Sequence, residues 1–147
     1  MTAREESPFR SELFSIEQLQ LHARAIAGWH ELAQVPRRDK LLIRLAENEE
    51  VLRDAYEEVS AIAAKNQAVS PGGEWLVDNF YLIEEQVRTA RRHLPRTYSR
   101  QLPQMRNGPA AELPRVYGIA MELIGHLDGR IDIESVTKFI ASYQTVH

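Results

Sequence analysis

A regular apolar stripe between Trp75 and Leu94 constrains the fold of this chain more than any other feature. Its members follow one another at alternating spacings of four and three residues, which places them on one face of an α-helix. We expect the segment Pro71 to Gly73 to break the chain before this helix and Pro95 to end it. A helix this apolar needs partners on more than one side, so we place it at the centre of a helical domain. The stripe consists of Leu76, Phe80, Ile83, Val87, Ala90 and Leu94, flanked by Trp75 and Leu82.

A local signal marks the start of the first predicted helix. Ser15 is placed as the N-cap, and Gln18, three residues later, completes a capping box. Phe14 and Leu19 are spaced to form a hydrophobic staple across this cap. We expect the helix to cover residues 16–34 and residues 1–14 to form a flexible N-terminal arm.

The second predicted helix starts near Asp39 and carries a long apolar seam. From Leu41 to Ile62 the seam keeps spacings of four and three residues, and Asn48 is its one polar member. A seam of this kind is typical of two helices that pack lengthwise. We therefore expect the second and third helices to be long and antiparallel. Asn48 has two interpretations, a residue that sets the register of the pair or a contact to a ligand.

A proline-rich stretch separates the third helix from the fourth. The residues between Leu94 and Pro114 are many for a connection inside a compact domain. We expect the fourth helix to begin at Pro114, which suits a first helical position, and the last helix to cover residues 133–146. The sequence therefore predicts an all-α fold, a bundle of about five helices with one long Pro-rich loop, in a single domain over residues 15–147.

Composition excludes several classes of site and partner. The chain has no cysteine, so it can form neither disulfides nor thiolate metal sites. Its net charge of −3 argues against general nucleic-acid binding, which needs a basic surface. No apolar run approaches the roughly 20 residues that a membrane-spanning helix needs. We expect no nucleic-acid partner and no membrane span in this segment.

A basic block begins in the last turns of the third helix, continues after it, and is the first candidate for interaction. It holds six arginines in nineteen residues that contain no Asp or Glu. Clustered guanidinium groups suit a phosphate or an acidic protein surface. The alternatives are a solvated face that pairs with nearby carboxylates, an interface with another domain, and a contact to anionic lipid headgroups. The candidate interaction residues are Arg88, Arg91, Arg92, Arg96, Arg100 and Arg106, with Trp75 and Tyr98.

A polar set on the fourth helix is the second candidate. Arg115, Glu122 and His126 are spaced seven and four residues apart and share a helix face, and Asp128 follows. A carboxylate beside an imidazole can serve acid–base chemistry or hold a metal. A buried polar network fits a mostly apolar helix better. We predict such a network, and no catalytic residue, metal ligand or cofactor, with an independent hydrolase as the alternative.

Aromatic residues beside carboxylates on the third helix form the third candidate. Such surfaces are typical of sugar binding, and paired carboxylates also carry out glycoside hydrolysis. Glu84 and Glu85, however, are neighbours that point about 100° apart on a helix, so they do not face each other across a bond. A packed aromatic helix with charged flanks is the alternative. The set consists of Trp75, Asp78, Asn79, Tyr81, Glu84 and Glu85.

Several blocks of sequence, in a fixed order, carry a family resemblance. They are ENEEVLRDAY at 47–56, EWLVDNFYLIEEQVR at 74–88, HLPRTYSRQLP at 93–103, GPAAELPRVYGIAMELIGHLDGRID at 108–132 and FIASYQTV at 139–146. Together they resemble the N-terminal region of bacterial cyclic β-1,2-glucan synthases, over residues 40–147. Those enzymes are very large inner-membrane proteins that polymerise glucose from UDP-glucose. The family's glycosyltransferase and phosphorylase-like domains lie downstream of this region.

The resemblance implies a role without chemistry of its own. The chain has no Asp-X-Asp metal motif and no Gln-X-X-Arg-Trp acceptor motif, so no catalytic residue of the family can be assigned to it. The resemblance implies a soluble, non-catalytic helical segment of a glucosyltransferase, on the cytoplasmic side of the bacterial inner membrane. It would pack against or position downstream domains of the same polypeptide. The alternative is a helical module that binds β-glucan or UDP-glucose.

Overall fold

The computed structural model describes residues 13–35, 40–94 and 98–146. Within these ranges the regular structure consists of five α-helices and one 3₁₀ turn, and extended backbone pairs only through isolated bridges. The predicted all-α fold class is therefore confirmed. The helices are α1 (Ile16–Trp29), α2 (Leu41–Ala64), α3 (Pro71–His93), α4 (Arg115–His126) and α5 (Ile133–Tyr143).

Two compact units make up the chain. Unit 1 takes the described residues within 1–37 and 103–147, and so contains α1, α4 and α5. Unit 2 takes those within 38–102 and contains α2 and α3. The single domain predicted over residues 15–147 stays a prediction. Of the predicted arm, residues 1–12 lie outside the described residues, whereas Phe14 packs against the core of unit 1.

Unit 1 is built around one apolar core. α1 packs along α5, and α4 adds Leu123 to their contact. Leu19, Ala23 and Phe139 have no exposed surface at all. Burial of a large apolar side chain stabilises a fold by about 1.5–3 kcal/mol, so this cluster holds the three helices together. Its buried members are Leu19, Ala23, Ile26, Ala27, Leu123, Phe139 and Tyr143.

The start of α1 is as predicted, but its end is not. Ser15 accepts a hydrogen bond from the Gln18 backbone, and the Gln18 side chain accepts one from the Ser15 backbone, so the capping box is complete. The helix ends at Trp29 and not near residue 34. The backbone N–H of Ala33 instead donates to Gln104, at 2.9 Å. Pairing with a distant segment therefore outweighs continuation of the helix. Pro36, which follows the predicted end of the helix at residue 34, lies outside the described residues.

The later part of the proline-rich connection is held by backbone pairs within the segment. Gln104 and Met105 are buried, and isolated bridges join them to Pro114 and Ala111. The Met105 backbone also donates to the carbonyl of Leu113, at 2.9 Å. These contacts fix the backbone just before α4, which begins at Arg115 with Pro114 as its N-cap.

Unit 2 is a pair of packed helices. α2 packs on α3, and within the described residues α2 has no fully buried side chain. Its seam residues are half-buried, while Asn48 is exposed. On α3 the predicted stripe is confirmed at its centre, because Phe80 and Val87 are buried. Phe80 also stacks on Tyr56 of α2, with ring centres 4.3 Å apart.

The first turn of α3 includes Pro71 to Gly73, so the chain break predicted at these residues is wrong. Pro71 is the first helical residue, and the Ser70 hydroxyl accepts a hydrogen bond from Gly73 N–H. Proline suits this position because its missing N–H would have no partner there. Gly73 is buried, and a Cβ on it would lie 2.7 Å from a Val69 methyl. The segment therefore opens the helix. Asp39 and Pro95, expected to bound α2 and α3, lie outside the described residues.

Candidate functional site

Two helices of unit 1 bring two histidines to one carboxylate. Glu122 and His126 lie on α4, and His22 lies on α1. The Glu122 Oε2 atom is 2.7 Å from His22 Nε2 and 3.5 Å from His126 Nε2. The three donor atoms all lie within 4.8 Å of one another. We call these three residues the His–Glu–His cluster.

Helical spacing explains how each member reaches the cluster. Glu122 and His126 are four residues apart, so their side chains meet on one face of α4. His22 lies three residues after Leu19 and four before Ile26, next to the buried stripe of α1. Packing of α1 against the shared core therefore carries His22 to α4.

Phe14 covers the inner side of this cluster. Its ring stacks on that of His126, with centres 4.0 Å apart and planes 6° apart. It also meets His22 edge-on, at 5.3 Å. The Phe14 backbone N–H donates to the carbonyl of His126, at 3.2 Å. The side chain of His126 is 10% exposed, against 24% for His22 and 33% for Glu122. The cluster is thus anchored on its His126 side and reachable from solvent on the other.

The histidines favour the ionised form of the acid. The hydrogen bond from His22 holds the pKa of Glu122 below its usual range, whereas partial burial acts in the opposite direction. Coulombic attraction from His22 and His126 adds to the lowering. Glu122 is therefore a carboxylate at neutral pH. Two imidazole nitrogens and one carboxylate oxygen are groups that can hold a metal ion or exchange protons.

Arg115 and Asp128 lie apart from the cluster, although the sequence grouped them with Glu122 and His126. The Arg115 guanidinium is 5.9 Å from the centre of the Tyr143 ring. Burial raises the pKa of Tyr143, and Arg115 acts against that rise. Asp128 is exposed just after α4, where its φ is +48°. A network that joins Arg115, Glu122, His126 and Asp128 therefore stays a prediction.

The basic block is divided between the two units. Arg91 of α3 pairs with Glu49 of α2 within unit 2. Arg106 belongs to unit 1, where its guanidinium is 3.5 Å from Glu31. Arg91 and Arg106 are thus each paired within their own unit, although both side chains are also exposed. Arg96 lies outside the described residues, and the exposed members of unit 2 include Arg88, Arg92 and Arg100.

The aromatic candidates of unit 2 are exposed. Trp75 is 58% exposed, Tyr81 62% and Tyr98 50%. Trp75 lies near the start of α3 and Arg91 near its end. Sixteen residues of helix span about 24 Å, so these two side chains do not meet at one small ligand. Their predicted part in an interaction is untested.

A cleft of about 750 Å³ lies where α2 connects to α3, within unit 2. Its charged lining residues are Glu74 and Asp78. Carboxylates repel a diphosphate, so this cleft does not suit the phosphate part of a nucleotide sugar. The remaining lining residues are Ala63, Asn66, Gln67, Ala68, Val69 and Val77.

Sequence reasoning missed His22 and the covering ring of Phe14. The signal for His22 was present, since it continues the spacing of Leu19 and Ile26. Only the packing of α1 reveals that this position meets α4.

Comparisons with known proteins relate part of the chain to a known synthase. No protein-family model matches the chain. Over 101 residues the chain is 30% identical to the cyclic β-(1,2)-glucan synthase NdvB of Rhizobium meliloti. The match covers 69% of this chain and 4% of that synthase. The chain is therefore related to a short stretch of a much longer protein. In the part of the chain that the structure describes, no helix has both the length and the apolar character of a membrane span.

Proposed function

We propose that this chain is a non-catalytic helical segment of a cyclic β-1,2-glucan synthase-like glucosyltransferase, and that it acts in inter-domain packing or positioning. The observation that carries the proposal is the 30% identity to NdvB over 69% of the chain. The chain spans only 4% of that synthase. A part in glucan synthesis is therefore also something that we propose for it. The proposal assigns the segment to the N-terminal region of the parent, on the cytoplasmic side of the inner membrane.

The surface of unit 2 supports a packing role. α2 buries no side chain completely, and apolar side chains such as Val51, Trp75 and Tyr81 are 67%, 58% and 62% exposed. Aromatic residues are enriched in the buried centres of protein interfaces. We propose that downstream domains of the same polypeptide cover this surface.

The test is made in a full-length synthase that contains this segment. One variant lacks the segment, and a second carries Trp75→Ala with Tyr81→Ala. The matched control carries Gln86→Ala, an exposed polar position on the same helix. We expect the first two variants to change glucan yield or ring size and the control to leave both unchanged. Unchanged yield and ring size in the deletion variant would contradict the proposal.

A carbohydrate-binding module is the second proposal, and the exposed Trp75 and Tyr81 favour it. A sugar ring stacks on exposed aromatic faces, so Trp75 and Tyr81 would hold units of a glucan. Tyr98 with the exposed arginines would contact a more distant part of that glucan or, separately, a nucleotide sugar. Calorimetric titration with β-1,2-glucan oligomers and with UDP-glucose is the test. Heats equal to those of buffer for both ligands would exclude it, whereas binding lost in Trp75→Ala would support it over the packing role.

A further inference from the structure

We propose that His22, Glu122 and His126 form a binding site for a divalent transition-metal ion of the Zn²⁺ type. The proposal is independent of the glucan synthase assignment, since it concerns unit 1 alone. It rests on three observations, which are the donor set, the convergence of the donor atoms, and the unequal anchoring of the side chains.

The donor set selects the class of metal. Two imidazoles and one carboxylate are a ligand set that Zn²⁺ uses when it keeps a fourth position for water. Mg²⁺ and Ca²⁺ prefer oxygen ligands throughout, so two histidines disfavour them. The chain has no cysteine that could compete for a soft metal. The cluster therefore suits Zn²⁺, and also Co²⁺ and Ni²⁺ as probes.

The positions of the donor atoms are close to those of a coordinated ion. Ligand atoms about 2.0–2.2 Å from a tetrahedral Zn²⁺ lie about 3.3–3.6 Å from one another. His126 Nε2 and Glu122 Oε2 are 3.5 Å apart. The 2.7 Å distance between His22 Nε2 and Glu122 Oε2 must lengthen to reach this range. The third distance, between the donor nitrogens of His22 and His126, is at most 4.8 Å. The adjustments needed are rotations of the His22 and Glu122 side chains.

The surroundings allow this adjustment. Phe14 stacks on His126, so one ligand is held in place. The side chains of His22 and Glu122 are 24% and 33% exposed and can rotate toward the ion. Their exposure also leaves a solvent-facing side where a water molecule can complete the coordination. Bound metal would join α1 to α4 and raise the thermal midpoint of the chain.

The first experiment observes the imidazoles directly. The full chain, without a polyhistidine tag, is labelled with ¹⁵N and titrated with ZnCl₂, and with MgCl₂ in a parallel arm. We expect the ring-nitrogen resonances of His22 and His126 to move with Zn²⁺ at one ion per chain, and those of His93 to stay. His93 lies on α3 and is exposed. Unmoved His22 and His126 resonances, or equal responses to Mg²⁺, would overturn the proposal.

The second experiment compares variants by calorimetric titration with ZnCl₂. We expect His22→Ala and Glu122→Gln each to weaken binding at least about 10-fold, because each removes one ligand. His93→Ala is the matched control and should bind as the original chain does. If His22→Ala and Glu122→Gln both bind Zn²⁺ as tightly as His93→Ala does, the proposal is contradicted. If Glu122→Gln fails to fold, His22→Ala still decides, since His22 is not a member of the buried core of unit 1.

Discussion

In unit 1 three helices share one closed core, whereas in unit 2 two helices share a half-buried seam. Phe139 and Leu19 of unit 1 have no exposed surface, and Phe80 of unit 2 is 8% exposed. Two helices can cover only one side of each other, so their remaining faces stay in solvent. A third helix closes the core. The comparison predicts that the same substitution costs more free energy of unfolding in unit 1 than in unit 2.

The largest expected effect comes from truncating the matched phenylalanines. Phe139→Ala should lower the free energy of unfolding by about 3–5 kcal/mol, because the cavity that it leaves is closed on all sides. Phe80→Ala should cost at most about 3 kcal/mol, since water can reach its side of the seam. Urea unfolding measures both. A greater loss for Phe80→Ala would contradict the comparison.

Loss of a helix cap should have the next largest effect. Ser15→Ala removes the hydroxyl that accepts from the Gln18 backbone and donates to Glu17 in unit 1, and it should cost about 1 kcal/mol. Ser70→Ala removes one hydrogen bond to Gly73 in unit 2 and should cost about 0.5 kcal/mol. Amide hydrogen exchange would locate each loss in the first turns of α1 and α3. Equal costs would show that the hydrogen bond from the Ser15 hydroxyl to Glu17 adds nothing.

The N-cap of α5 is Asp132, whereas those of α1 and α3 are serines. An aspartate can lose its charge at acidic pH, so the α5 cap depends on pH. Hydrogen bonds from the Ser135 backbone and hydroxyl hold the pKa of Asp132 below its usual range. A lowered folded-state pKa stabilises the fold above the unfolded pKa, and this contribution disappears as the pH falls through the folded value. The difference in thermal midpoint between the original chain and Asp132→Asn should therefore shrink below about pH 4. A difference independent of pH would contradict this account.

The smallest effects are expected at the exposed ion pairs. Arg91 pairs with Glu49 in unit 2, and Arg106 with Glu31 in unit 1; the arginine side chains are 49% and 69% exposed. Solvent screens such pairs, so Arg91→Ala and Arg106→Ala should each cost less than about 0.5 kcal/mol. Urea unfolding at low and at high salt is the measurement. A loss above about 1 kcal/mol in either variant would show that its arginine packs as well as pairs.

The helices were predictable from sequence because their signals are local. The capping box of Ser15 and the spacing of the α3 stripe act within a few residues, so they can be recognised without the tertiary structure. The first turn of α3 was read as a break because proline and glycine suit both a turn and a helix start. Only the cap by Ser70 and the close packing of Gly73 on Val69 distinguish the two.

The site was predictable only in part. Glu122 and His126 share a face of α4 through their spacing alone. Arg115 shares the same periodicity, yet its guanidinium lies over the Tyr143 ring. A long side chain can point to any neighbour within reach, and periodicity does not describe the neighbours.

The sequence by itself determined the all-α class, the start of α1 and the pairing of Glu122 with His126, because each depends on residues within one or two helical turns. The tertiary structure decided the end of α1, where Ala33 pairs with Gln104, and the arrival of His22 at Glu122, 100 residues away. Contacts across such separations depend on how whole helices pack, and no local pattern specifies that packing.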